Sequence, residues 1–131
     1  MKSLIVALIA AGAFYGMAAH GACIYPKAPQ NIPDGETATK EQMIAAKQEF
    51  TKYNDEMTAY LNCIKLESDD SLAAMEKEQP ATDEERKALE AKKLELERQQ
   101  TEKHNAAVEE VTTAVERFNE QVRLYKKKQS G

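Results

Sequence analysis

Two cysteines and His104 hold most of the chemistry open to this chain. Cys23 and Cys63 stand 40 positions apart. Catalytic thiol exchange uses a close pair such as C-x-x-C with a lowered thiol pKa. A wide separation with no basic cluster beside either residue points instead to a structural bridge. His104 has Glu97, Glu102 and Glu109 near it in sequence. A metal site needs further imidazole or thiolate ligands, so His104 reads as a solvated surface residue, and neither metal nor cofactor is expected. Ser68, Ser71 and Ser130 lack a recognisable base. A phosphate-binding glycine loop, a nucleophile elbow and H-E-x-x-H are all missing. The expectation is a non-enzyme with no catalytic residue and no small-molecule substrate.

Cys23 also closes a leader. Lys2 supplies one positive charge, and the 16 residues from Leu4 to Ala19 are nearly all apolar. Small residues follow at Gly21 and Ala22. These are the parts of a secretory signal peptide over residues 1–22, and the apolar run is shorter than the roughly 20 residues of a bilayer span. An uncut anchor is one alternative. A lipoprotein is another, with lipid on Cys23, although His20 stands where the lipoprotein box wants an apolar residue. At this point the Cys23 sulfur has two possible fates, disulfide or lipid. The membrane is a partner only if the leader stays or Cys23 is lipidated.

Removing 22 residues from 131 leaves 109, enough for one small domain. Lys2 leaves with the leader, so 17 basic residues face 22 acidic ones and the formal charge is −5. That balance excludes nucleic acid, whose phosphates demand a basic surface. Tryptophan is absent and Glu, Lys, Gln and Ala dominate, the composition of long solvated helices.

Residues 23–38 carry prolines at 26, 29 and 33 and a turn signal at Asp34-Gly35. Such spacing predicts an extended, polyproline-like path, and Ile24, Tyr25 and Ile32 predict that it packs onto something. Thr39-Lys-Glu-Gln42 fits a capping box. Met43, Ala46, Phe50, Tyr53, Met57, Tyr60 and Ile64 then recur at helical spacing. Ser68-Asp-Asp-Ser71 is a plausible break in this first helix. A bend is expected near 79–82, and Thr82-Asp-Glu-Glu85 forms a second capping box. The second helix places Val108, Val111, Val115, Phe118, Val122 and Tyr125 on one stripe, while Glu97 to Asn105 is wholly polar. Lys126–Lys128 suit the negative end of the helix dipole. The three C-terminal residues, 129–131, are expected to fray.

The fold class is therefore all-α: an antiparallel hairpin of long helices over 39–128, with the extended proline-rich segment packed on it. Equal distances from the bend set Phe50 opposite Val111 and Ala46 opposite Val115. The hairpin then packs thinly near its bend. Thr39 to Cys63 spans 24 helical steps, about 36 Å. The 16 extended steps from Cys23 to Thr39 reach at most about 53 Å. The proline-rich segment can thus turn at Asp34-Gly35 and run back along the first helix to Cys63, with Ile24 and Tyr25 covering the thin half. Tyr53 and Tyr60 read as core rather than as an aromatic binding face, and Pro26-Lys-Ala-Pro29 as a stiffener rather than a docking ligand.

The run C-I-Y-P-K-A-P, then N-I-P-D-G and A-T-K-E-Q-M, and later Y-L-N-C-I, resembles a family of small, uncharacterised exported proteins of Gram-negative bacteria. The likeness covers about residues 23–64. It implies an exported location and the Cys23–Cys63 pair, and it implies no activity. The expected role is contact with an unidentified protein partner, or self-association, in the periplasm, through the stripes Met43, Phe50, Tyr53, Met57, Tyr60 and Val108, Val111, Val115, Phe118, Val122. Other readings are an envelope-attached lipoprotein or anchored spacer, and a holdase-type chaperone.

Overall fold

A computed structural model describes residues 22–131. The leader expected over 1–22 lies, but for Ala22, outside the described residues. The chain forms two antiparallel helices, α1 (Lys40–Glu76) and α2 (Asp83–Ser130). Both begin at capping boxes. Thr39 Oγ1 accepts from the Gln42 N–H at 3.2 Å, and Gln42 Oε1 accepts from the Thr39 N–H at 2.8 Å. Thr82 and Glu85 repeat the arrangement, and Glu85 also accepts from the Ala81 N–H. Each cap contributes on the order of 1 kcal/mol.

Ser68–Ser71 does not break α1. The Ser71 hydroxyl donates to the Glu67 carbonyl and Lys65 pairs with Asp69, so two of these four polar residues find partners on the helix itself. The far end of α2 also differs from expectation, because Gln129 and Ser130 remain helical instead of fraying. Gln129 donates to the Tyr125 hydroxyl and Ser130 to the Lys127 carbonyl, which closes the last turn locally.

Met43, Ala46, Phe50, Tyr53, Met57, Tyr60 and Ile64 are all buried on α1, as are Ala107 and Phe118 on α2. Val111, Val115 and Val122 are half-buried against them. The register, however, is shifted. Phe50 stacks on Phe118 at 4.6 Å between ring centroids, not on Val111. The shift is seven residues, two helical turns, and it keeps the same stripe inward, so the apolar pattern alone cannot tell the two registers apart. From the Phe50–Phe118 level α1 has 26 residues to its end and α2 has 35 back to its start. The start of α2 therefore overshoots the end of α1 by about 13 Å.

Val108, expected on the inward stripe, is instead 39% exposed, and its neighbour Ala107, at 0%, takes the inward place. A methyl group lets α2 approach the large side chains of Tyr53, Met57 and Tyr60, and a valine there would overfill the gap.

Residues 22–38 form a strap along the seam between the helices. Cys23, Pro26, Pro29 and Ile32 are buried or half-buried at intervals of three, Ala28 and Pro33 are half-buried between those positions, and Gly35 and Ala38 are buried in the turn that follows. Three residues per turn is the polyproline II period; Pro26 and Pro29 stand in phase with the cysteine, and Pro33 is out of phase. Ile24 is out of phase and 86% exposed, so it does not cover the hairpin as expected. At the far end the strap turns: the Asp34 carbonyl accepts from the Thr37 and Ala38 N–H groups, and the Asp34 side chain accepts from the Glu36 N–H. There Gly35 lies directly on α2. Its N–H donates to Gln121 Oε1 at 2.9 Å. A Cβ at Gly35 would sit 2.0 Å from the Gln121 carbonyl oxygen and 2.8 Å from the Tyr125 nitrogen. Its φ is not positive, so space and not backbone freedom requires glycine. Lys128 donates to the Ala38 carbonyl at 2.9 Å and lies over the Tyr125 ring, which holds the strap's end to the end of α2.

Beyond the strap the pair is a thin arm. Between residues 65 and 106 only Ser68 and Leu89 are buried. Leu72, Met75 and Leu96 are only half-buried there, and so are Lys93 and Gln100. Every ion pair among the described residues joins two positions of one helix. Such pairs support each helix by about 0.3–0.5 kcal/mol and do nothing to zip the two together.

Two outcomes follow from this packing. Gly35→Ala is expected to lower stability by about 1–3 kcal/mol in urea denaturation, whereas Gly131→Ala, whose Cβ meets nothing closer than 3.7 Å, leaves it unchanged. Native-state hydrogen exchange should show amides of residues 65–76 and 83–106 exchanging faster than those of 43–64 and 107–125; uniform protection would contradict the thin arm.

Candidate functional site

Cys23 and Cys63 are joined in a disulfide, with their Cα atoms 5.7 Å apart. The bond closes a 40-residue span, for which the chain-entropy estimate is about 4 kcal/mol. It engages the very sulfur that a lipid thioether on Cys23 would need. The Glu67 carboxylate lies with both sulfurs inside a 4.8 Å cluster. Both sulfurs are spent in the bond, so no thiolate completes a metal set. Sequence reading passed over Glu67, although Cys63 and Glu67 are four apart and share one helix face. His104 is exposed, as are Glu97, Glu102 and Glu109, and Glu102 is paired with Arg98. The exposed Arg98 also binds Glu95, holding its carboxyl down at about 2 with help from Gln99.

Next to the bridge the strap makes its one polar contact with α2 in this half. Tyr25 sets its ring edge-on to Tyr60 at 4.8 Å and donates its hydroxyl to Glu110 Oε2 at 2.7 Å. Tyr53 donates to the other oxygen, Oε1, at 3.4 Å. A single carboxylate on α2 thus receives a phenol from the strap and a phenol from α1. Burial, and then Glu110, push the Tyr25 hydroxyl well above the ordinary phenol value, and the same two causes raise Tyr53. Glu110 was not singled out in the sequence; its place three residues after the fully buried Ala107 is the only signal it carries. Pro26 is buried and Pro29 half-buried, so the P-x-x-P element faces the hairpin and is closed to a docking partner.

Beside the disulfide the surface opens into a shallow depression lined by Ala59, Asn62, Cys63, Leu66, Glu67 and Asp70, among others. Leu66 is 63% exposed at its rim. Both cysteines are half-buried, and Cys63 lines this open depression. No helix among the described residues is long and apolar enough to cross a membrane.

These features define an all-α helical hairpin with a disulfide-pinned strap. No family model, curated protein or solved structure matches the chain.

The phenol–carboxylate cluster sets a pH dependence. Tyr25 and Tyr53 have folded pKa values above the unfolded value of about 10. Their contribution to stability is therefore complete below pH of about 10 and is lost as pH rises from there through the folded values. Tyrosinate absorbance should show two phenols that ionise late. Glu110→Gln should bring both partway back, only partway because burial is the larger cause. Simultaneous ionisation of all phenols near pH 10 in a still-helical protein would refute the cluster.

Proposed function

We propose that this chain is an exported, non-enzymatic protein of the periplasm that works by contact between its helical arm and another protein, or a second copy of itself. The observation that carries this reading is the arm. From residue 65 to residue 106 two helices are built and capped, yet they bury only Ser68 and Leu89. A hairpin that served only its own core would end near Ile64 and Ala107. The extra length presents Leu66 and Leu94, 63% and 67% exposed, on an otherwise charged surface. Export is supported by the signal-type leader and by the disulfide, since such bonds persist in oxidising compartments.

Intact mass of the protein recovered from the envelope tests location and chemistry together. The expected mass lacks the leader and two hydrogens; an added acyl mass or a retained leader would replace this reading with an anchored one. For the contact, a double Leu66→Glu/Leu94→Glu variant is expected to keep its thermal midpoint. It should also lose the partner that oxidised wild type retains from envelope extracts, or the faster-sedimenting species if the partner is a second copy. Unchanged capture and unchanged sedimentation by the variant would remove the arm from the function.

A further inference from the structure

The two ends of the strap are held in different ways. The far end, Asp34–Ala38, is tied by main-chain groups: Gly35 N–H to Gln121, the Ala38 carbonyl to Lys128, and the Asp34 turn. The near part, residues 22–33, makes no main-chain hydrogen bond to either helix among the described residues. It is held by the Cys23–Cys63 bond, by the Tyr25 hydroxyl on Glu110, and by the burial of Pro26 and a few half-buried side chains. Yet it is this half that covers the innermost residues, because Cys23 and Ala28 pack on the cluster of Tyr53, Met57, Tyr60, Ile64 and Ala107.

The core is also divided in a way that matches. Ala38, Met43, Ala46, Phe50 and Phe118 form a separate cluster, to which the strap contributes only Ile32 and Ala38. That cluster, with both helix caps, does not depend on residues 22–31. Removing the bridge therefore withdraws the one covalent hold on a segment with few others, and leaves the helix pairing at Phe50–Phe118 intact.

We propose that Cys23–Cys63 is a site of thiol–disulfide exchange with an external dithiol, and that its reduction releases residues 22–31 as a unit while the hairpin stays folded. In the exchange one thiolate of the dithiol attacks Cys63 Sγ, the cysteine that lines the open depression, and Cys23 leaves as a thiolate and takes a proton. The second thiol of the reagent then attacks its own sulfur in the mixed disulfide and Cys63 leaves. The protein gains two electrons and two protons, and the dithiol becomes a disulfide. Release bares Met57, Tyr60 and Ala107 along one flank of the seam. Asp34-Gly35 is the hinge, because the chain is firmly tied from that point on.

The test is carried out on the purified protein without denaturant, with dithiothreitol as the dithiol and backbone amide NMR as the readout. Reduction is expected to go to completion. The heteronuclear NOE of residues 24–31 should then fall to values typical of a mobile chain, while amide shifts around Phe50 and Phe118 and the helical circular dichroism hold. Reoxidation should restore the first state. A Cys23→Ser/Cys63→Ser variant should match the reduced form without any reductant. The proposal is overturned by any of three results: a bridge that resists the dithiol until the protein is unfolded, residues 24–31 that stay ordered once reduced, or loss of the whole hairpin on reduction.

Discussion

Two helices packed together bury one stripe each and leave both flanks of their seam open to water. The most deeply buried part of this structure depends on how one of those flanks is closed. The strap does it, laying Cys23, Pro26, Ala28, Pro29 and Ile32 against the groove before the turn that seats Gly35 and Ala38. Under that cover lie the most deeply buried side chains, Tyr53 at 2% and Met57 at 1%, and the fully buried Ala107. A polyproline path suits the task because it needs no hydrogen bonds of its own, so side chains and the two ends can do the holding. The disulfide fixes one end and the close fit of Gly35 on α2 fixes the other.

The hairpin is consequently two structures in series. Where the strap runs, three segments enclose large apolar residues and a stacked phenylalanine pair. Where it does not, α2 starts on its own capping box and ion pairs run within each helix, with only Ser68, Leu89 and a few half-buried side chains between the two. The cost of burying Lys93 or Gln100 fully is avoided by leaving them half in solvent. Stability and interaction surface are thereby separated along the length of one molecule.

Much of this was legible in the residues. Both helix starts were readable because a hydroxyl and an amide or carboxylate three positions later satisfy two free N–H groups with no help from elsewhere. The α1 stripe was readable to the residue, since every member from Met43 to Ile64 is apolar, all but Ala46 are large, and the spacing is regular. Chain lengths put Cys63 within reach of Cys23, and left the choice between disulfide and lipid open. What failed were choices that local chemistry leaves degenerate. Phe50 could meet Val111 or Phe118 because a seven-residue slide returns the same face. Val108 and Ala107 are adjacent and both apolar, and only the crowding by Tyr53, Met57 and Tyr60 selects the smaller one. Ile24 looked like a packing residue until the three-residue phase of the strap turned it outward. Glu110 carries no local mark, because its role comes from two phenols that reach it from distant parts of the chain.

By itself, then, the sequence determined which segments are helical, where each begins, which face of α1 is apolar and that one covalent tie was within reach. These depend on hydrogen bonds and periodicities within a few residues of each other. The register of the two helices, the inward place of Ala107, the glycine demanded at 35 and the gathering of Tyr25 and Tyr53 on Glu110 were decided only by the tertiary structure. Each turns on the volume and direction of side chains that meet across the seam, and such meetings are set only when all three segments are in place.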